Sequence, residues 1–332
     1  MILKTERVVF WDNVKMFLII SVVAGHMIQG AVDFSDVAKT LFIFVYSWHM
    51  PLFIFISGLF QSNKNPIQKI VFYCSIGFLL KILNLFLSVF LGNSQPTFDI
   101  LGDADLPWFM FVLAIYTGIF YILRNQNKRY LLVATIVLAC FTGYDKNIGD
   151  FLYLSRAIVF SPFYIAGALF NGQNFLELKK NRLFVAGGWL VFIGWLLSCY
   201  VWLDAIYFLR PLFTGRNPFL DTMALSGLYL RILTYLISSI LGLAILLIVP
   251  TRKIVLTRIG RYSINVYFWH STVYILCGKY LGFYALFQSS PMGKIVYLLL
   301  AVPISLLVSY WKYPVDSIRK YCFFKNATED RG

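Results

Sequence analysis

Apolar residues dominate this chain in long unbroken runs, each ended by a short polar or charged stretch. A helix that spans a bilayer needs about 20 mainly apolar residues. Ten stretches approach that length: 14–32, 39–60, 70–91, 108–123, 130–144, 153–171, 183–203, 229–249, 263–281 and 294–313. The fourth and fifth are short. Hydrophobicity within each run is continuous rather than alternating, which excludes the strands of a membrane barrel. Unpaired backbone in lipid costs several kcal/mol per group, so the runs must be helices. The pattern predicts an all-α integral membrane protein, a bundle of about ten transmembrane helices forming a single domain over residues 1–332.

The polar breaks carry the orientation. Lys and Arg concentrate in alternate loops: Lys4, Arg7 and Lys15; Lys64 and Lys69; Arg124, Lys128 and Arg129; Lys179, Lys180 and Arg182; Arg252, Lys253, Arg258 and Arg261; and the tail Lys312, Arg319, Lys320, Lys325 and Arg331. The opposite loops hold fewer, namely Lys39, Lys146, Arg156, Arg210, Arg216, Arg231, Lys279 and Lys294, with an acidic loop at Asp99, Asp103 and Asp105. The positive-inside rule then places both termini in the cytoplasm, with Met1 to Phe10 a polar, basic lead-in. The longest outer loops are 92–107 and 204–228, and each either shapes a binding site or is plain surface.

Composition agrees with this picture and removes other classes. The 332 residues are 59% hydrophobic and only 13% charged, so water is not the solvent of most of the chain. The net charge of +14 is spread between apolar segments rather than gathered on a soluble face, which argues for membrane topology and against nucleic acid. Cys74, Cys140, Cys199, Cys277 and Cys322 stand alone, without the spacing of a metal site, redox motif or disulfide framework. No metal is expected.

Three histidines occur, and all fall inside predicted spans near mid-depth: His26, His49 and His270. Ionisable groups in hydrocarbon are costly and by default line a cavity or pathway. For any one of them, a hydrogen-bonding role in the core is the alternative. In the first span Asp12, Lys15, Ile19, Val22 and His26 follow helical spacing along one face. Lys15 and His26 are three turns apart, about 16 Å along the axis at 1.5 Å per residue. A cation at the cytoplasmic mouth and an imidazole deep inside suit a long ligand with an anionic head and a reactive end, the shape of a coenzyme A thioester. Lys15 snorkelling to the surface and Asp12 capping the helix is the plainer reading.

These residues resemble a known family. Asp12-Asn-Val-Lys15, Val22-Val-Ala-Gly-His26 and Tyr46-Ser-Trp-His-Met-Pro-Leu-Phe-Ile-Phe-Ile-Ser-Gly58 are similar to the membrane-bound acyltransferase-3 family, in its branch resembling fucose 4-O-acetylases and polysaccharide O-acetyltransferases. Leu106-Pro-Trp-Phe109, Leu154-Ser-Arg156 through Gly167, and Gly260-Arg-Tyr-Ser-Ile-Asn through His270 extend the likeness along nearly the whole chain. Many relatives carry arginine where Lys15 stands; the charge is kept, but not the bidentate fork. The resemblance implies transfer of an acetyl group from cytoplasmic acetyl-CoA to a sugar hydroxyl of a cell-surface polysaccharide or its lipid-linked precursor, by a multi-pass protein of a bacterial plasma membrane. Acetyl-CoA is then a co-substrate, with a glycan acceptor and membrane lipid as the other partners.

Under that reading His26 is the base or acyl carrier, His49 its second member beside the helix-breaking Pro51, and Lys15 and Asp12 complete the catalytic set. His270 joins the substrate-binding residues. Lys81 is either a cavity-facing cation near the reacting carbonyl or a mark of a kinked helix. Arg156 either binds the acceptor or pairs with Asp150. Trp108 stacks on a sugar ring or belongs to the interfacial belt. Arg261 belongs to the cytoplasmic positive patch or binds CoA phosphate. Ser57 and Gly58 read as a close-packing pair. A transporter or flippase for a sugar or lipid-linked glycan is the competing class, disfavoured by the lack of paired interrupted spans and of intramembrane carboxylates. No G-x-S-x-G elbow occurs.

Overall fold

Backbone groups in a water-poor environment must satisfy one another locally, and this chain does so almost entirely through helices. The computed structural model describes residues 2–93, 95–96, 98–102 and 106–324, and for residues 2–8 and 324 the backbone alone. Asp103, Asp105, Lys325 and Arg331, used in the charge reading, lie outside the described residues. Among the described residues, seven helices are long and apolar enough to cross a membrane: Val9–Gln29, Asp36–Leu59, Pro66–Phe90, Phe151–Leu169, Arg182–Val201, Gly227–Ile248 and Pro291–Val308, with Trp108–Ile122 a shorter apolar helix.

The other two predicted spans are also helical, as Lys128–Phe141 and Ser263–Tyr280. The first has 14 residues, about 21 Å at 1.5 Å per residue and short of a hydrocarbon core of about 30 Å. The second carries Asn265, His270, Ser271, Thr272 and Lys279 among its apolar residues. Boundaries are sharpened by side-chain caps: Ser35, Asn127 and Asn181 accept hydrogen bonds from the backbone N–H of Ala38, Arg129 and Leu183.

One expectation is corrected. The first helix runs Ile2–Gln29, so the polar lead-in is its first turns and His26 stands in its last turn rather than midway. Two of the spans are each built from two helical pieces, Asp36–Tyr46 then His49–Leu59, and Pro291–Leu299 then Ala301–Val308. Proline explains both. Pro51 has no N–H for the carbonyl of Ser47, and Pro303 has none for that of Leu299. At the first break the Ser238 hydroxyl donates to the Ser47 carbonyl at 2.5 Å, while Trp195 Nε1 donates to Ser47 Oγ at 2.8 Å. Pro162 lies within Leu154–Leu169 without ending it, because Ser161 Oγ donates at 2.7 Å to the Ile158 carbonyl that the proline leaves unbonded.

The chain forms two compact units. The first comprises Met1–Phe53, Gly172–Arg210 and Ile237–Lys312 and holds all three histidines. Its first helix packs against Thr257–Arg261 so closely that a Cβ on Gly260 would overlap the Asp12 carbonyl. Lys179 closes the end of Gly227–Ile248 by donating to the Leu246 carbonyl at 2.9 Å and to that of Leu247, and burial there lowers its pKa to about 8. The second unit comprises Ile54–Asn171, Pro211–Leu236 and Tyr313–Gly332. In it the backbones around Gly58 and Tyr164, and around Gly167 and Phe55, meet where any Cβ on either glycine would overlap a carbonyl.

Candidate functional site

The first unit builds its polar centre along the first helix, from its middle turns to its last. Midway along it, on the side that the charge reading places toward the cytoplasm, Lys15 Nζ lies 2.7 Å from Asp12 Oδ1, a pair one turn apart and partly exposed. Beside it Asn13 is fully buried. Its Nδ2 donates to the carbonyls of Pro250 and Arg252, both at 2.8 Å, and its Oδ1 accepts from Thr257 Oγ1 at 2.6 Å. Asn13 therefore ties the 250–257 turn to the helix that carries Lys15. The neighbouring helix Thr257–Arg261 ends on the exposed Arg261, whose guanidinium is 6.0 Å from the Tyr262 ring centre.

At the end of the first helix, His26 and His270 bring their rings to 5.5 Å between centroids. His26 Nδ1 lies 3.3 Å from Gln29 Oε1, which also accepts from the Tyr46 hydroxyl at 3.4 Å. The Tyr46 ring stands edge-on to His49 at 4.6 Å. The sequence-predicted histidines thus belong to one connected group, His270–His26–Gln29–Tyr46–His49, in which Gln29 and Tyr46 were not anticipated. The end of the first helix is held by two hydroxyls, Tyr297 donating to the Met27 carbonyl at 2.9 Å and Tyr284 to that of Gly30 at 2.7 Å.

Backbone contacts set the tautomers of two imidazoles. His49 Nδ1 is 2.8 Å from the Val45 carbonyl, and His270 Nδ1 is 3.0 and 2.9 Å from those of Val266 and Tyr267. A carbonyl oxygen only accepts, so Nδ1 carries the proton in both rings and Nε2 keeps a lone pair. His270 is fully buried. Among the described residues its Nε2 has no hydrogen-bond partner, nor do Ser271 Oγ and Thr272 Oγ1 on the same helix. Buried polar atoms are rarely left so, and the His270 Nε2 lone pair, beside the His26 ring, marks a place where a polar ligand group can bond.

The second unit holds the remaining candidates. Lys81 is buried, and its Nζ donates to the Asp99 carbonyl at 2.5 Å beside the stacked rings of Phe111 and Tyr153, whose centres are 5.7 and 5.4 Å away. Arg156 is buried too, 4.0 Å from the Asp150 carboxylate and 4.9 Å over the Trp108 ring, which stacks on Phe160 at 5.7 Å. Of the two readings for Arg156, the pairing with Asp150 is therefore present, and Trp108 meets a guanidinium and a phenyl ring. Arg231, assigned to an outer loop by its position in sequence, is instead fully buried within Gly227–Ile248. It donates to the Leu212 carbonyl at 3.2 Å and Asn217 Oδ1 at 2.9 Å, over the Phe219 ring. Its place two residues inside the predicted span was the available signal. Among the described residues no group of three or more His, Cys, Asp or Glu is placed to hold a metal ion.

Comparison with known proteins bears on this geometry. A family model described as an acyltransferase domain, acyltransferase-3, matches residues 8–313. The nodulation protein NolL of Sinorhizobium fredii (strain NBRC 101917 / NGR234) is 24% identical over 219 residues, which are 60% of this chain and 58% of NolL. The likeness therefore spans little more than half the length of that relative. No solved structure matches.

Proposed function

We infer the chemistry from one premise: the chain belongs to the acyltransferase-3 family. We propose that it is a membrane O-acyltransferase that moves an acetyl group from cytoplasmic acetyl-CoA to a sugar hydroxyl of a surface polysaccharide or its lipid-linked precursor. The observation that carries this reading is the histidine group at one end of the first helix, with the Asp12–Lys15 pair three turns away on the same helix.

A sugar hydroxyl is a poor nucleophile at neutral pH, so a base within hydrogen-bond reach must take its proton as it attacks. His26 takes that proton while the hydroxyl oxygen bonds to the thioester carbonyl carbon. The C–S bond then breaks, the ester remains on the sugar, and the imidazolium returns the proton to the departing CoA thiolate. His49 and His270, each with Nδ1 tied to backbone, present Nε2 lone pairs to the acceptor's other hydroxyls. Lys15, steadied by Asp12, meets the phosphates of CoA, with Arg261 as a second cation at that face. The second unit offers its own candidates for substrate binding, Lys81 and the Arg156–Trp108 pair. The ten helical stretches, with both termini cytoplasmic, give the donor this route from the cytoplasm into a bacterial plasma membrane, and the family match running through both units supports one domain over 1–332.

In cells, replacing His26 by Ala is expected to abolish acetylation of the surface glycan at unchanged protein level, read by acetyl analysis of the purified polysaccharide. Normal acetylation in that variant sinks the mechanism. Uptake of sugar without acyl transfer would favour the transporter reading instead.

A further inference from the structure

An aromatic path leads away from the histidines within the first unit. The Tyr46 ring, edge-on to His49, stacks on Phe42 at 3.8 Å with the planes 17° apart. The Phe42 ring is buried and lies 4.8 Å from the Arg210 guanidinium. Arg210 Nη1 donates to the Tyr207 hydroxyl at 2.8 Å, and the Tyr207 ring is 6.5 Å from that of Phe42. Arg210 is half-buried, positioned by Tyr207 one turn earlier and by the ring beneath it. The path thus begins at the imidazoles and ends at a guanidinium, on a loop that the charge reading places outside.

The chemistry of the two ends is complementary to one kind of molecule. A guanidinium presents a planar fork that matches a carboxylate or phosphate oxygen pair, and the buried Phe42 ring, stacked on Tyr46 and lying beneath Arg210, holds that fork in place. An ammonium carries the charge without that fork. We propose that Arg210, steadied by Tyr207 and the Phe42–Tyr46 stack, forms an acceptor subsite for an anionic glycan, whose carboxylate or phosphate seats on the guanidinium while a hydroxyl on another sugar of the same glycan reaches His26. This inference rests on the acyl-transfer reading and adds the charge class of the acceptor to it.

The test uses membranes containing the full chain, labelled acetyl-CoA, and the host's surface glycan stripped of its ester groups by mild base. The acceptor concentration is varied for the wild type, Arg210→Gln and Arg210→Lys. The Gln variant is expected to raise the acceptor KM by about tenfold or more and the Lys variant by less, because charge-assisted fork contacts are lost in part or whole. The KM for acetyl-CoA should stay within about twofold in both, a control for folding that a merely structural Arg210 would not pass. Reducing the uronate carboxyls of the glycan, or removing phosphate by mild acid, should erase the difference between wild type and Arg210→Gln in one arm, which names the anion. An unchanged acceptor KM in Arg210→Gln overturns the subsite, as does a difference that survives both treatments. Failure of the wild type to label any glycan is a separate result, and it overturns the acyl-transfer reading itself.

Discussion

Asn13 does more to hold the first helix to the 250–257 turn than the ion pair next to it. The Asp12–Lys15 pair is partly solvated and one turn apart, a setting in which such pairs contribute roughly 0–1 kcal/mol. Asn13 satisfies two carbonyls and a hydroxyl in a dry site. Asn13→Ala is expected to lower stability in detergent by about 1–3 kcal/mol, because those groups lose their partner, whereas Asp12→Asn should cost less than about 1 kcal/mol. Thermal unfolding of both variants checks the order, and equal losses would refute it. The histidines were legible from residue type and from their placement inside apolar runs. Asn13, Gln29, Tyr46 and Arg210 were not, since each acts through a partner on another segment and an isolated amide, tyrosine or loop arginine has no period or spacing to announce it. Arg231 shows the same limit from the other side: a basic residue near a predicted span end reads as a loop cation until its carbonyl partners are known.

At the scale of elements, proline and glycine decide where helices break and where they touch. Every apolar run became a helix, because length and continuous hydrophobicity leave the backbone no other way to satisfy itself. The breaks at Ser47 and Leu300 were less legible. Pro51 announces that a carbonyl four residues earlier loses its donor, but whether the chain bends or continues depends on who replaces it. Ser238 does so beside a break, and Ser161 does so beside the uninterrupted Pro162 helix. The close approach at Gly58 was readable as a small residue in a span, while its partner Tyr164 was not. Gly58→Val should destabilise the protein by about 3 kcal/mol through overlap with backbone that has no room to yield. Gly194→Val, where nothing lies within 4 Å, should be neutral. Comparable thermal shifts for the two variants would contradict the packing described.

For the molecule as a whole, membrane residence and helical class follow from composition and run length, and the first helix already shows a cation and an imidazole on one face. The grouping of distant segments into two units was beyond reach of pattern alone, because 1–53, 172–210 and 237–312 are joined by contacts rather than by sequence. The same contacts turn three scattered histidines into one chemical group, and that group carries the proposed reaction. Its most direct test is the initial rate at which membranes transfer label from acetyl-CoA to glycan, compared between wild type and His26→Ala at matched protein level. The expected result is labelled glycan with the wild type and a rate lower by about 100-fold or more with His26→Ala, the loss typical of removing a general base. Equal rates in the two membranes would contradict it.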